Sequence, residues 1–499
     1  MKLSQQSPPT GTVRDWLAIR AAAGGTAMVF PESGSQLDWA TLQQAAQAFA
    51  RDLTGRGVQK GESIAIVAPN SREGIIALYG AMVGGFRATM INLAAGRDAI
   101  AYALGHSKAR FGYVHPDSRP LFDSANETQV QPIDLNGDAK TDLHPLAPDD
   151  HALLMYTSGT TGRPKGVLHS HASLLAGGWT TAIAHALSPE DRGFCVLPIY
   201  HINGLCVTLM GALVSGGSLA VVARFSASRF WDQAGESGVT WFSAVPTIIS
   251  HLLHGEAAPD ASCRARLRFG RSASSALAVE TQSAFENRFG VPIIETMGLT
   301  ETAAQILSNP LPPAVRKIGS PGVSFGCDVA IQDGKGRTLP PGEEGEVAER
   351  GPNVMLGYLD NPDATEAAFR DGWFRTGDLA RVDEDGYVFV TGRLKELIIK
   401  GGENIAPREV DEALYTHPDV IEAAAFARKS ARYGETVEAA VRIKSGSDLK
   451  SADLIAICQQ RLGAFKCPDE IHFLDELPKG PSGKIQRLKI ADVVPAPVS

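Results

Sequence analysis

Tyr156-Thr157-Ser158-Gly159-Thr160-Thr161-Gly162-Arg163-Pro164-Lys165-Gly166 holds four Ser or Thr hydroxyls, three glycines and two cations in eleven residues, directly after the apolar run Ala152–Met155. Hydroxyls, backbone N–H groups and positive charge on a flexible loop after a strand are what a polyphosphate needs in order to be wrapped. A Walker loop is a poor description, because Pro164 separates Arg163 from Lys165 and no helix can start at the lysine in the usual way. A plain Gly/Ser/Thr turn accounts for any six of these residues but poorly for all eleven.

Other segments carry matching chemistry. Met297-Gly-Leu-Thr-Glu301 sets the hydroxyl of Thr300 beside the carboxylate of Glu301, a pair suited to a phosphate oxygen and Mg²⁺. Thr376-Gly-Asp378 offers a carboxylate on a tight turn, able to accept two ribose hydroxyls or simply to form an Asx turn. Arg393 follows Gly392, and Lys484 sits in the cationic loop Pro478–Arg487, where solvation alone is the ordinary fate of a lysine.

These groups need a scaffold. Helical patterns such as Trp39–Leu53 alternate with short apolar runs such as Ser63–Val67 and Ala109–Val114, which predicts parallel sheets covered by helices. Further units fall at Thr240–Val245 with Pro246–Leu253, then at Leu267–Gly270 and Val291–Ile294, while 115–150 reads as a loop-rich connection. Beyond about residue 320 the tight turns at 332–336, 342–345 and 383–386 predict a small β-rich subdomain. The expected fold is therefore α/β: a large N-terminal domain (1–392) with that subdomain, then a small α+β C-terminal domain (393–499).

Bulk properties narrow the class. A chain of 499 residues exceeds what one core usually organises, and 44% hydrophobic with 20% charged residues is ordinary for a soluble enzyme. The net charge of −8, spread without long blocks, argues against nucleic acid or an anionic membrane as partner. Six scattered cysteines with no C-x-x-C pair are expected to be reduced thiols, and Met1–Thr10 lacks an apolar run, so a cytoplasmic protein is expected. Gly193–Ala223 contains no Asp, Glu, Lys or Arg, yet Pro198, Tyr200, His201, Asn203 and Gly216-Gly217 interrupt it. A buried helix near 205–214 and a strand at 218–222 are expected instead of a membrane span.

Taken together and in this order, these segments resemble the adenylate-forming (AMP-binding) superfamily, which contains acyl-CoA synthetases, luciferases and adenylation domains of peptide synthetases. The resemblance covers nearly the whole chain. It implies an AMP-forming acid:CoA ligase using ATP, Mg²⁺ and CoA. It assigns Thr157, Ser158, Gly159, Thr160, Thr161 and Lys165 to the phosphate loop, Thr300 to the α-phosphate and Glu301 to Mg²⁺. Asp378 and Arg393 match the ribose contacts, and Ser274, Ser275 and Ala276 the adenine side. Lys484 matches the lysine of the adenylation step, Lys395 a hinge for a swinging C-terminal domain, and Gly401 and Gly402 the wall of a pantetheine tunnel. His201, in Pro198–Leu205, matches a histidine beside the reacting carboxylate.

Arg271–Leu277 and Leu307–Pro313 resemble oxalyl-CoA synthetase-like ligases, which implies a small doubly anionic acid such as oxalate or sulfoacetate. Such an acid needs a compensating cation or several donors beside the reacting carboxylate, for which Arg271 is one candidate; a structural ion pair is its other reading. Two departures stand out. Met297 occupies the place of an aromatic that stacks on adenine, and Asn203 stands where related ligases often differ. A medium-chain or aromatic acid:CoA ligase, a stand-alone enzyme loading a carrier protein, and a catalytically dead nucleotide-binding protein are the alternatives; a homodimer stays open. Lys484 is expected to be exposed on its loop, where acetylation would remove its charge.

Overall fold

Two mostly parallel sheets form the large part of the molecule. The computed structural model describes residues 7–137, 139–157, 164–430, 432–480 and 484–495. In the first sheet, Ile293–Leu299, Phe269–Ser272, Trp241–Ala244, Arg192–Cys195, Ser218–Val221 and Thr26–Phe30 run parallel in that spatial order. In the second, the parallel set is His151–Thr157, Arg87–Met90, Ser63–Val67, Phe111–Val114 and Gln131–Pro132. Strands such as Ser63–Val67 are buried at every position, as a parallel strand covered on both faces must be, and this is why they read as unbroken apolar runs.

The covering helices start and stop where side chains satisfy their ends. Trp39–Gly55 begins at Asp38, whose carboxylate accepts from Thr41 N at 2.6 Å, and it buries Trp39, Leu42, Ala46, Phe49, Ala50 and Leu53 on one face. Arg72–Gly84 is capped by Ser71 and ends at Gly85 in the left-handed region (φ 84°). It lies against Trp39–Gly55 so closely that a Cβ on Gly80 would sit 2.7 Å from the Phe49 ring. The uncharged run from Gly193 forms a strand, a π-helical stretch Asn203–Met210, the short helix Gly211–Ser215 and the strand Ser218–Val221. The helical part begins earlier than its apolar pattern predicts, at Asn203, because a wider i→i+5 turn absorbs that residue. Among the described residues no helix is long and apolar enough to cross a membrane.

The β-rich part is antiparallel: Asp328–Gln332, Gly345–Arg350, Trp373–Val382 and Val388–Arg393, with Phe369–Arg370 on one edge. Its last strand ends at Arg393, and the next sheet begins at Ile398. That sheet comprises Ile398–Lys400, Glu403–Ile405, Val420–Ser430, Gly434–Ile443 and Glu470–Phe473, packed on the helices Pro407–Tyr415 and Ser451–Lys466 around a core of its own. The fold class is thus an α/β body followed by a separate α+β unit.

Candidate active site

Thr300 and Glu301 lie in the turn Thr300–Thr302, between the antiparallel strands Ile293–Leu299 and Ala304–Ser308. The strand runs on through Met297–Leu299, beyond the expected Ile294. A Cβ on Gly298 would sit 1.3 Å from the Ala304 carbonyl oxygen, so this place admits only glycine. The turn is clamped from several sides. His169, fully buried on the strand Lys165–Ser170, donates through Nε2 to the Thr300 carbonyl at 2.6 Å, and its Nδ1 accepts from Ser173 Oγ at 3.0 Å. Burial pushes its imidazole down to about 4, so at neutral pH it serves as an uncharged strut. Tyr358 donates its phenol O–H to Glu301 Oε1 at 2.9 Å, and the Lys165 ammonium sits 4.4 Å above the Tyr358 ring.

Asn353 supports the same turn from beneath, its Nδ2 donating to Thr302 O at 2.9 Å and to Glu349 Oε1 at 2.7 Å. Glu349 is fully buried, and burial raises its carboxyl to about 8. The folded chain therefore keeps a proton there that the unfolded chain releases near 4.5, so this group's contribution to stability declines as pH rises from about 4.5 to about 8. Glu349→Gln is expected to remove that slope and to gain on the order of a few kcal/mol at pH 8, where the amide replaces a carboxylate forced to ionise in the core. Thermal melts of both proteins at pH 5 and pH 8 check this; parallel pH dependences would contradict it.

A cavity opens between this hairpin and the C-terminal unit. Its walls include Ser274, Ser275, Ala276 and Met297 from the large body, Asp378 and Arg393 from the β-rich part, and Lys484 from near the chain end. Asp378 and Arg393 face each other across paired strands, with Nε to Oδ1 at 2.5 Å and Nη2 to Oδ2 at 3.3 Å. The Asp378 charge holds the guanidinium well above its ordinary range. Thr376 Oγ1 accepts from Asp378 N at 3.1 Å and donates to Val347 O at 2.8 Å, which sets the carboxylate's angle.

Lys484 overturns one expectation. It is partly buried inside the cavity, and burial, then the neighbouring Arg393, lowers its ammonium below the usual lysine range. Its segment is drawn inward by Arg487, which pairs with Asp411 at 2.6 Å and Glu396 at 3.3 Å, and by Gly480 N, which donates to Lys484 O at 2.7 Å.

Other expected residues lie apart from the cavity walls. Thr157 and Lys165 pair across the antiparallel strands His151–Thr157 and Lys165–Ser170; Ser158, Gly159, Thr160 and Thr161 lie outside the described residues. His201 is half-buried, its ring 5.0 Å from that of Tyr200. Gly401 (φ 60°) and Gly402 (φ 91°) form the exposed turn between Ile398–Lys400 and Glu403–Ile405, and Lys395 is exposed. Arg271 is 1% exposed, and among the described residues no carboxylate pairs with it, so the ion-pair reading fails.

The residues present suit a nucleotide and a hard divalent ion. Glu301 offers carboxylate oxygen beside a hydroxyl and a cation, the donor set Mg²⁺ shares with phosphates, while Asp378 can accept two neighbouring hydroxyls. His169, Tyr358, Asn353 and Glu349 had no signal in the sequence as site residues; only the nearness of His169 to the hydroxyl-rich loop could have drawn attention to it.

The pattern of the AMP-binding enzyme matches residues 17–359, and that of the AMP-binding enzyme C-terminal domain matches 409–484. The chain is 43% identical to sulfoacetate–CoA ligase of Cupriavidus necator, over 96% of this chain and 97% of that one. It is 36% identical to oxalate–CoA ligase of Arabidopsis thaliana, over 89% of this chain and 91% of that one. It superposes on the crystal structure of ATP-bound MatB from Rhodopseudomonas palustris with a TM-score of 0.90 at 28% identity, covering 97% and 99% of the two chains.

Proposed function

The chain belongs to the AMP-binding enzyme family, and we propose that it activates a small, doubly anionic carboxylic acid with ATP and hands the acyl group to CoA. The observation that carries this reading is the convergence of Ser274–Ala276, Met297, Asp378, Arg393 and Lys484 on one cavity, in a chain akin to ligases of sulfoacetate and oxalate.

In the first step a carboxylate oxygen of the acid attacks the α-phosphorus of ATP, the Pα–O–Pβ bond breaks, and pyrophosphate departs. Anions meet and charge grows on the phosphoryl oxygens, so the work is electrostatic. Lys484 faces that charge as a point cation and Lys165 supports the pyrophosphate side; Thr300 donates its hydroxyl to the α-phosphate. Asp378 accepts the ribose hydroxyls, Ser274, Ser275 and Ala276 border the adenine and Met297 covers its face. Mg²⁺, held through Glu301, neutralises phosphate charge when bound. His201 orients the acid.

In the second step the CoA sulfur attacks the acyl carbon, the acyl–phosphate bond breaks and AMP leaves; the thiol proton passes to solvent. Gly401 and Gly402 are exposed and not among the cavity walls, so this step calls for a turn of the C-terminal domain about Lys395.

Tyr358 adds a prediction. Its hydrogen bond orients Glu301, and loss of an outer partner of this kind costs metal affinity by about ten- to a hundredfold. Tyr358→Phe is expected to raise the Mg²⁺ concentration for half-maximal pyrophosphate release about tenfold, with little change in the rate at saturating Mg²⁺; an unchanged Mg²⁺ requirement would show the bond to be incidental.

The function itself is tested by incubating the protein with ATP, Mg²⁺, CoA and either sulfoacetate or oxalate. Mass spectrometry should find the acyl-CoA and AMP in equal amounts; ADP in place of AMP would sink the reading.

A further inference from the structure

Arg271 is one of the largest enclosed side chains, and among the described residues its hydrogen bonds end on neutral oxygens. Nε donates to Gln305 Oε1 at 3.1 Å, and Nη1 donates to Asn203 Oδ1 at 2.8 Å and Ser243 Oγ at 3.1 Å. Burial lowers the guanidinium to about 9, which leaves it charged at neutral pH. Its buried neighbour His185 bonds the same Gln305 Oε1 at 3.2 Å and is held neutral by burial and by Arg271, so it adds no second positive charge. A buried cation with no anion beside it is costly, and breaking such pairs typically costs several kcal/mol. Among the described residues, the fold keeps one here.

The positive field has a route to the cavity. Asn203 Oδ1 accepts from both Arg271 and Ser243, the latter at 3.0 Å, which fixes the carboxamide with its oxygen towards the cation and its N–H₂ away from it. That Nδ2 reaches towards Ser274 Oγ at 3.4 Å. Ser274 lines the cavity and is held at φ 75°, a conformation costly for serine that turns it towards this wall. Asn203 also opens the π-helical stretch Asn203–Met210, a local widening often found at functional positions. Arg271, Asn203 and Ser274 thus form a polar line from a buried cation to the cavity.

We infer that Asn203, oriented and polarised by Arg271, is the specificity-determining residue of the acyl pocket: its Nδ2–H, beside Ser274 at the border between the adenine side and the acid, receives the second oxyanion of a short acid. Arg271 is then a positioning residue acting through Asn203, not the contact itself. This rests on the ligase reading above. A carboxylate and a sulfonate share the oxyanion chemistry, so both are used as probes.

The experiment measures kcat/KM for oxalate, malonate and sulfoacetate against pyruvate and butyrate, which lack the second charge, with KM for ATP as an internal control. Wild type is expected to prefer at least one dianion. Asn203→Leu, close in size but without a donor, is expected to lower the dianion-to-monoanion ratio at least tenfold, mainly through KM for the dianion. Arg271→Lys, which keeps charge but loses the fork that fixes the amide, should move the ratio the same way by less. Asn203→Ala, which also lacks a donor, serves where the leucine variant does not fold. A ratio unchanged in the Asn203 variants overturns the inference, as does a wild type that prefers the monoanions, although either leaves the ligase reading standing. Release of pyrophosphate with none of the five acids overturns the ligase reading for small acids, and the inference with it.

Discussion

Lys484→Ala is expected to lose two to three orders of magnitude in acid-dependent pyrophosphate release, about 3–4 kcal/mol of transition-state stabilisation, while keeping most of its ability to form thioester from supplied acyl-adenylate and CoA. The asymmetry follows from position. Lys484 shares the cavity with Asp378 and Arg393, where the proposed reaction builds charge on the α-phosphate, whereas the proposed second step brings the CoA sulfur to the acyl carbon in another arrangement of the C-terminal domain. The lowered ammonium adds a pH signature. The group works only when protonated, so adenylation should fail on the alkaline side at a lower pH than an ordinary lysine would impose. Single-turnover assays of the two half-reactions decide the matter: equal losses in both would place Lys484 in general support of the fold.

Asp378→Ala is expected to raise KM for ATP by about a hundredfold. A carboxylate that accepts two hydroxyls makes two charge-assisted hydrogen bonds of about 1.5–3 kcal/mol each, of which solvent replaces part, and its loss also frees Arg393, whose guanidinium it holds above the normal range. Asp378→Asn keeps the shape and one acceptor, so it should lie between wild type and alanine. Because Arg393 is about a third exposed, solvent screens the orphaned cation, and the loss of thermal stability should be small beside the loss of affinity. Calorimetric titration with ATP checks the first part; a variant that binds ATP like wild type would remove Asp378 from the ribose site.

What could be read in the chain beforehand divides along a physical line. Local periodicity was enough for the parallel sheets, since a strand buried on both faces, such as Ser63–Val67, must be apolar throughout. The uncharged stretch from Gly193 was legible as core rather than membrane because Pro198 and Gly216-Gly217 break it into short pieces. Hydroxyl-rich and carboxylate-bearing loops drew attention through residue type alone. Contacts between distant segments left no such trace. Nothing in the spacing of His169 points to a carbonyl 131 residues away, nor does Tyr358 announce Glu301, because those pairings are made by hairpins packing together. Lys484 looked solvated for the same reason: its enclosure depends on how the C-terminal unit rests on the large body. Arg271 could be singled out by its type, but its burial behind Asn203 could not be read from spacing.

The central claim is that a carboxylate oxygen of the acid becomes bonded to the α-phosphorus of ATP. The direct measurement uses acid labelled with ¹⁸O in the carboxylate, with ATP, Mg²⁺ and CoA, followed by mass spectrometry of the nucleotide and phosphate products. Attack on the α-phosphorus predicts one ¹⁸O carried into AMP and none into pyrophosphate; label in inorganic phosphate, with ADP as the nucleotide product, would mean an acyl phosphate route and contradict the account.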